Sequence, residues 1–275
     1  MKKASVIIPV YNQLFSLLLV LQGFAKQSIE TDEFEIIIVN DGSKDITPDT
    51  EKLFESIVSN CMVIHTPNYG RAFARNIGIN AASTNILIFN DADRIPSSNF
   101  VEKHIMHHNE GRKIVVGNPQ NFWGEICWES NIQDEILRKK ARNSIYYNEI
   151  NTKINMKPEN VKYIWMSLLI GNASINKKII CDAGKFDVQF KEWGFEHFEL
   201  GFRLWRQGNN IYHDSSIINY HLVHSREKNF YKSRVIENFK IMEEKYDYDF
   251  SEEKSFLMAI VQKNMCEGEI WLTKN

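Results

Sequence analysis

Apolar residues fall into short unbroken runs, separated by stretches with helical spacing. Ala4-Ser5-Val6-Ile7-Ile8-Pro9-Val10, Glu35-Ile36-Ile37-Ile38-Val39, Met62-Val63-Ile64-His65 and Ile86-Leu87-Ile88-Phe89 are such runs. Each reads as a strand, and the run Ile86 to Phe89 suits one buried on both faces, as in a parallel sheet. Between them Leu14, Leu17, Leu18, Leu21 and Ala25 share one helical face, as do Leu53, Phe54, Ile57 and Val58. Thr47 followed by Pro48 marks the start of the second of these helices. Gly70 opens another, which carries Arg71, Arg75 and Asn76. Strand and helix alternating at this rhythm predict a doubly wound α/β fold, with a mixed, mainly parallel central sheet flanked by helices.

The second half is less regular. Phe100 to His108 predicts a helix, with His104, His107 and His108 on its surface. Ile114 to Val116 predicts a strand, and the chain from Glu125 to about Asn160 reads as polar and helical. Met166 to Ile175 reads as a strand and a bend, and Ile211 to Tyr220 as extended. Val235, Phe239, Met242 and Tyr246 keep the spacing of an amphipathic helix and begin a helical tail.

Composition narrows the classes. With 275 residues, 43% of them hydrophobic and 25% charged, the chain has ample core for one large soluble domain or two small ones. A formal net charge of -2 supplies no general attraction to nucleic acid. Cys61, Cys127, Cys181 and Cys266 are widely spaced, which predicts free thiols in a reducing compartment. The opening apolar run, broken at Pro9, is too short for a signal peptide. No stretch approaches the ~20 apolar residues that span a bilayer. The expected location is cytoplasmic, with peripheral contact at the inner face of the membrane left open.

Candidate chemistry sits at the predicted strand ends. The run Ile86 to Phe89 leads straight into Asn90-Asp91-Ala92-Asp93. That places two carboxylates at the C-terminal edge of a sheet, where open α/β folds bind ligands. Carboxylates at this spacing can converge on a divalent cation that also holds phosphates. Asp41 ends another strand, and as an acceptor it can take a base N–H or a ribose hydroxyl. Arg71 and Arg75, one helical turn apart, can reach a diphosphate.

Four segments, in order and spacing, carry a family resemblance. They are Val6-Ile7-Ile8-Pro9-Val10-Tyr11-Asn12, Ile38-Val39-Asn40-Asp41-Gly42-Ser43, Gly70-Arg71-Ala72-Phe73-Ala74-Arg75-Asn76-Ile77-Gly78 and Asn90-Asp91-Ala92-Asp93. Together they resemble family 2 glycosyltransferases of the GT-A fold. The resemblance implies a UDP-sugar donor held by Pro9, Tyr11, Asn12, Asp41, Arg71, Arg75 and Asp91. It also implies Mn²⁺ or Mg²⁺ at Asp93, with Asp91 helping.

A later segment, Gly184 to Gly208, resembles the acceptor side of chondroitin- and hyaluronan-type polymerases, β-1,4-galactosyltransferases and polypeptide GalNAc-transferases. Gly184-Lys185-Phe186-Asp187, Trp193-Gly194-Phe195-Glu196-His197 and Glu199-Leu200-Gly201-Phe202-Arg203 carry it. Trp193, Gly194 and Phe195 are the implied acceptor-binding residues. Phe195 stands where glycine is usual, which implies a narrower acceptor pocket. His197 stands where these enzymes carry a catalytic aspartate. Histidine suits a general base near neutral pH, and Glu196 is the rival for that role. His224, with Ser225 and Arg226, matches a His-Ser-Arg run that supplies a metal ligand in the galactosyltransferases, and His221 falls at a second ligand position. Imidazole and carboxylate together suit manganese-like cations.

Residues 1–230 are thus expected to form one catalytic domain, with 1–110 as the nucleotide-sugar half and 111–230 as the acceptor and metal half. Residues 231–275 form a helical extension. The expected reaction is transfer to a glycan, lipid-linked or peptide acceptor, with inversion, in surface glycan assembly. A retaining enzyme of the GalNAc-transferase type, or a non-catalytic sugar-nucleotide binder, is the alternative. A nucleotidyltransferase would want a glycine-rich phosphate loop after the first strand, and Tyr11-Asn12-Gln13 does not supply one.

Overall fold

The computed structural model describes residues 1–124, 126, 134–190, 195–224 and 230–272. The first ninety residues alternate as the pattern predicts. They run β1 (Ala4–Val10), α1 (Leu14–Phe24), β2 (Phe34–Asp41), α2 (Pro48–Ile57), β3 (Cys61–Thr66), α3 (Arg71–Ala81) and β4 (Ile86–Asn90). A short strand β5 (Arg94–Pro96), α4 (Phe100–Asn109) and β6 (Ile114–Phe122) follow. The polar stretch contains α5 (Asp134–Lys140), β7 (Arg142–Asn143) and α6 (Ile145–Met156). Beyond it come a 3-10 segment (Pro158–Ser167), β8 (Asn172–Asn176), α7 (Lys177–Asp182) and α8 (Glu196–Arg206). β9 (Tyr212–Leu222), α9 (Phe230–Lys245) and α10 (Ser251–Leu272) complete the order. The strand expected from Met166 starts only at Asn172, after the 3-10 segment and a turn.

The sheet has the order β3-β2-β1-β4-β8-β6-β9-β5, with β7 beside β6. It is parallel from β3 to β4 and mixed beyond, because β8 runs antiparallel to both β4 and β6. β1 and β2 are buried at every position, since helices cover both faces. Alternate residues sort by face. Val6, Ile8, Ile36 and Ile38 pack with Leu17, Leu21, Phe24 and Phe54. Ile7, Ile37, Val39 and Phe89 pack with Ala72, Ile79, Ile180 and Leu200. A Cβ on Gly78 would stand 2.4 Å from Ile7 Cγ2, so glycine is what lets α3 lie this close to β1.

A third cluster, including Trp165, Phe202, Phe239 and Phe250, joins α8 to the C-terminal helices. Buried Glu199 accepts from Arg203 Nη2 at 2.6 Å, from Lys245 Nζ at 2.7 Å and from Tyr246. The charges at the end of α9 are thereby tied to the helix that carries Glu196 and His197.

The α4 histidines are not on the surface. His104 is fully buried and His107 nearly so. β8 and β9 supply their partners: His104 Nδ1 and His108 Nε2 lie 2.8 and 2.9 Å from Ser174 Oγ, and His107 Nε2 lies 2.7 Å from Asp214 Oδ2. Polar residues on this face of α4 are buried because the opposing strands can bond them. Burial, with His108 nearby, holds His104 down at about 3. Burial likewise holds His108 and His213 at about 4.

Unfolded histidines titrate near pH ~6.5, so between there and about 4 the unfolded chain takes up protons that the folded chain refuses. Stability is therefore full above pH ~6.5 and falls as the pH drops. Urea unfolding is expected to lose about 1.4 kcal/mol per pH unit below that point through His104 alone. His104→Gln should flatten the slope, and a stability that is level between about pH 7 and pH 5 would refute the assignment.

Candidate active site

The strand order changes direction at β1, which has β2 and β3 on one side and β4 on the other. This is a topological switch point, and the loops after the parallel strands open there along one edge. The Asn12 N–H donates to Ser43 Oγ at 2.9 Å, joining the loops after β1 and β2. Gln13 Nε2 donates to Asp93 Oδ2 at 3.2 Å, joining those after β1 and β4. Asn12 takes φ 52, a conformation asparagine adopts more readily than most residues. Tyr11 is exposed beside it, while Pro9 is buried within β1 under the crevice. Pro9 pairs with Val39 beyond the last β4 pair at Ile7, so its missing N–H breaks no bond to β4.

Strand register assembles the next group. β5 runs antiparallel to β9 with Arg94 opposite His221, and the Leu222 N–H donates to the Asp93 carbonyl at 2.8 Å. Asp93, His221 and His224 thereby converge, each offering one ligand atom, with these atoms within 4.8 Å of one another. His221 Nε2 and His224 Nε2 lie 3.6 and 3.8 Å from Asp93 Oδ2. His221 Nδ1 donates to Asn121 Oδ1 at 3.2 Å, which turns Nε2 toward the carboxylate. Burial works against the Asp93 charge, but His221 and Arg94 hold its carboxyl at about 2. Two imidazoles and one carboxylate fit a manganese-like cation better than magnesium, which prefers oxygen ligands.

Asp91, expected as a helper in the metal site, is not in this group. Its Oδ1 accepts from Arg75 Nη2 at 2.8 Å and its Oδ2 from Arg94 Nε at 3.2 Å. Burial opposes its charge, yet Arg75, Arg71 and Arg94 hold it well below the usual carboxylate range. No motif marked the asparagines that fix this floor. Asn219 Nδ2 donates to Asn90 Oδ1 and to the Gly171 carbonyl, and Asn172 Nδ2 donates to Asn219 Oδ1. All three asparagines are buried and bind β4, β8 and β9 together.

Arg75 differs from the expected donor ligand. It is 1% exposed, with Nη1 on Glu196 Oε1 at 2.6 Å and Nη2 on Asp91. With both terminal nitrogens used inside the protein, it braces the two halves of the crevice instead of reaching a diphosphate. Asn76 does similar work, exchanging two hydrogen bonds with the backbone of Phe186. Arg71 remains facing the crevice. It makes no hydrogen bond among the described residues, and although burial opposes its charge, Asp91, Glu196 and Asp93 stabilise it.

Glu196 is 2% exposed and opens α8 beside Arg75. Burial opposes its charge, but His197, Arg75 and Arg71 outweigh it and hold the carboxyl well below its usual range. His197 Nδ1 faces it at 3.9 Å. Nδ1 and Glu196 Oε2 are buried without hydrogen bonds, so Nε2 is the imidazole nitrogen left for a ligand. Phe195 precedes them with φ 73, a left-handed conformation that costs a side-chain-bearing residue roughly 1–2 kcal/mol. Its ring does not line a pocket: it is buried against Phe198 and Phe239, with centroids 5.3 and 5.0 Å away. The aromatic cluster that anchors α9 outweighs the backbone strain. Trp193 and Gly194 lie outside the described residues.

Asp41 also has protein partners. Its Oδ1 accepts from the Tyr69 N–H at 2.9 Å and its Oδ2 from the Gly70 N–H at 3.0 Å. Burial pushes the carboxyl up in spite of these bonds. Gly70 caps α3 at φ 96, a conformation natural to glycine. Asp41 therefore shapes the start of α3; Oδ1 also meets the Thr66 hydroxyl at 3.5 Å, so Oδ2 is the oxygen that keeps a lone pair for a ligand.

This fold and crevice are of the GT-A type. The chain belongs to glycosyl transferase family 2, whose family model matches residues 5–178. It is 26% identical to chondroitin synthase of Escherichia coli, across 74% of this chain and 32% of that one. Across three curated relatives that it matches, it spans between 32% and 65% of their length. Among solved structures, S. aureus TarS 1-349 in complex with UDP-GlcNAc superposes with a TM-score of 0.62 at 17% identity, covering 95% of this chain and 72% of that one. The mannosyltransferase PcManGT from Pyrobaculum calidifontis, in complex with GDP-Man and Mn²⁺, gives 0.64 at 14% identity, covering 94% and 69%. No helix among the described residues is long and apolar enough to cross a membrane.

Proposed function

We propose that this chain moves a sugar from a UDP-sugar to an acceptor hydroxyl with inversion. The observation that carries the reading is the convergence of Asp93, His221 and His224 at the switch point, beside the loop after β1. These residues would hold Mn²⁺ or Mg²⁺, which when bound supplies Lewis-acid stabilisation of the departing diphosphate. Charge supports this. Arg71, Arg75 and Arg94 balance Asp91, Asp93 and Glu196, so a dication leaves an excess that matches a diphosphate diester. Tyr11, Asn12 and Asp41 border the nucleoside side of the crevice, and Arg71 faces the phosphates.

His197 is the base in this reading. Glu196 is buried and ion-paired with Arg75, which makes it a poor proton acceptor. It is well placed to stabilise the imidazolium that forms when His197 Nε2 takes the acceptor proton. The hydroxyl oxygen then attacks the anomeric carbon in one displacement, and UDP leaves from the opposite face. Uridine as the nucleoside is supported by the likeness to TarS, and a glycan acceptor in surface glycan assembly by the relation to chondroitin synthase. A cytoplasmic location, at the inner face of the membrane, agrees with free thiols at Cys61 and Cys181. UDP release measured across a panel of UDP-sugars, with Mn²⁺ or with EDTA, tests the reading. Release from at least one sugar with Mn²⁺ alone is expected, and no release from any would count against it.

A further inference from the structure

Arg94 belongs to no motif, yet it borders the crevice and its guanidinium is only partly used by the protein. It opens β5 opposite His221. Its Nε donates to Asp91 Oδ2 at 3.2 Å, and its two Nη nitrogens make no hydrogen bond among the described residues. The side chain is 20% exposed, against 1% for Arg75. The backbone of Gly171 presses on the contact: a Cβ there would stand 2.5 Å from Asp91 Oδ2 and 2.6 Å from Arg94 Nε. Nε is therefore fixed, and the terminal fork is left open. Asp91 is shared by two guanidiniums, but Arg75 uses both its terminal nitrogens, on Asp91 and on Glu196, whereas Arg94 meets Asp91 through Nε alone. A planar guanidinium held at Nε presents two parallel N–H donors, the geometry that matches two oxygens of a phosphate.

We propose that Arg94 is a diphosphate-binding residue, gripping the nucleotide-sugar with its two Nη nitrogens while Nε stays on Asp91. This rests on the reading of the crevice as a nucleotide-sugar site. Because the fork belongs to the protein and not to the cation, its contribution should persist without metal.

Calorimetry on the full chain separates the possibilities. UDP, uridine and UDP-glucuronate are titrated into wild type, Arg94→Ala and Arg94→Lys, each with Mn²⁺ and with EDTA. Arg94→Ala is expected to weaken UDP about ten- to hundredfold in both conditions, with uridine affinity unchanged and Arg94→Lys between the two. Wild-type UDP affinity in Arg94→Ala overturns the proposal. So does an equal loss for uridine, because Arg94 would then act only by bracing Asp91. A loss seen with UDP-glucuronate but not with UDP would move the fork to a sugar carboxylate and also overturn it. A wild type that binds neither UDP nor uridine, even with Mn²⁺, would overturn the functional reading itself, and Arg94's role with it.

Discussion

Asp93→Ala is expected to abolish turnover and to leave UDP binding indifferent to Mn²⁺, with the fold retained. Asp93 is the only carboxylate in the described cluster, so its loss leaves two imidazoles that hold a dication poorly. Its protein contacts are replaceable: one hydrogen bond from Gln13 and imidazoles more than 3.5 Å away. Asp91→Ala should behave differently although it lies only two residues away. Asp91 sits between Arg75 and Arg94, and Arg75 is buried. Removing one partner of a buried ion pair costs about 3–5 kcal/mol, so this variant should fail first in stability. Urea unfolding and calorimetry with UDP and Mn²⁺ distinguish the two. If Asp93→Ala kept Mn²⁺-dependent UDP affinity, or if both variants lost stability equally, the division of labour between the two aspartates would be wrong.

The second large effect concerns the base. If His197 is the base, His197→Ala should lower kcat by roughly 10²–10⁴ while UDP affinity stays near wild type, because a base acts on the acceptor and not on the nucleotide. Glu196→Gln keeps a hydrogen-bonding group against Arg75 but removes the charge facing Nδ1. It should lower kcat less than His197→Ala and also reduce stability. If Glu196→Gln abolished turnover while His197→Ala only raised the acceptor KM, the carboxylate would be the base in spite of its ion pair.

What the sequence revealed and what it hid follow from the range of the forces involved. β1, β2 and β4 were legible because burial on both faces leaves an unbroken apolar run, which is a local signal, while β3, at the sheet edge, is only half-buried. Asp93, His221 and His224 were legible through motif spacing. Their convergence depends on one register, Arg94 opposite His221, that no local pattern encodes. Arg75 looked like a donor ligand because helical spacing shows where a side chain can point, not what meets it. Its partner Glu196 lies 121 positions away. The same limit hid Gln13, fixed by a loop far along the chain, and Asn121 and the asparagines under the crevice, fixed by partners on other strands. His104 was misjudged because polarity usually means exposure, and here Ser174 makes burial tolerable. At Phe195 the reading took a bulky side chain in place of glycine as a narrowed pocket. The ring instead joins the core, and the left-handed backbone is kept.

The central claim is that a divalent cation binds at Asp93, His221 and His224 together with a uridine nucleotide. Pulsed electron paramagnetic resonance of Mn²⁺, recorded on the protein with UDP present, reads that coordination directly. The account predicts nitrogen coupling from two imidazoles, with one removed in His221→Ala and the other in His224→Ala, and phosphorus coupling from the diphosphate. A Mn²⁺ signal with phosphorus coupling but no protein nitrogen in the wild type would contradict it.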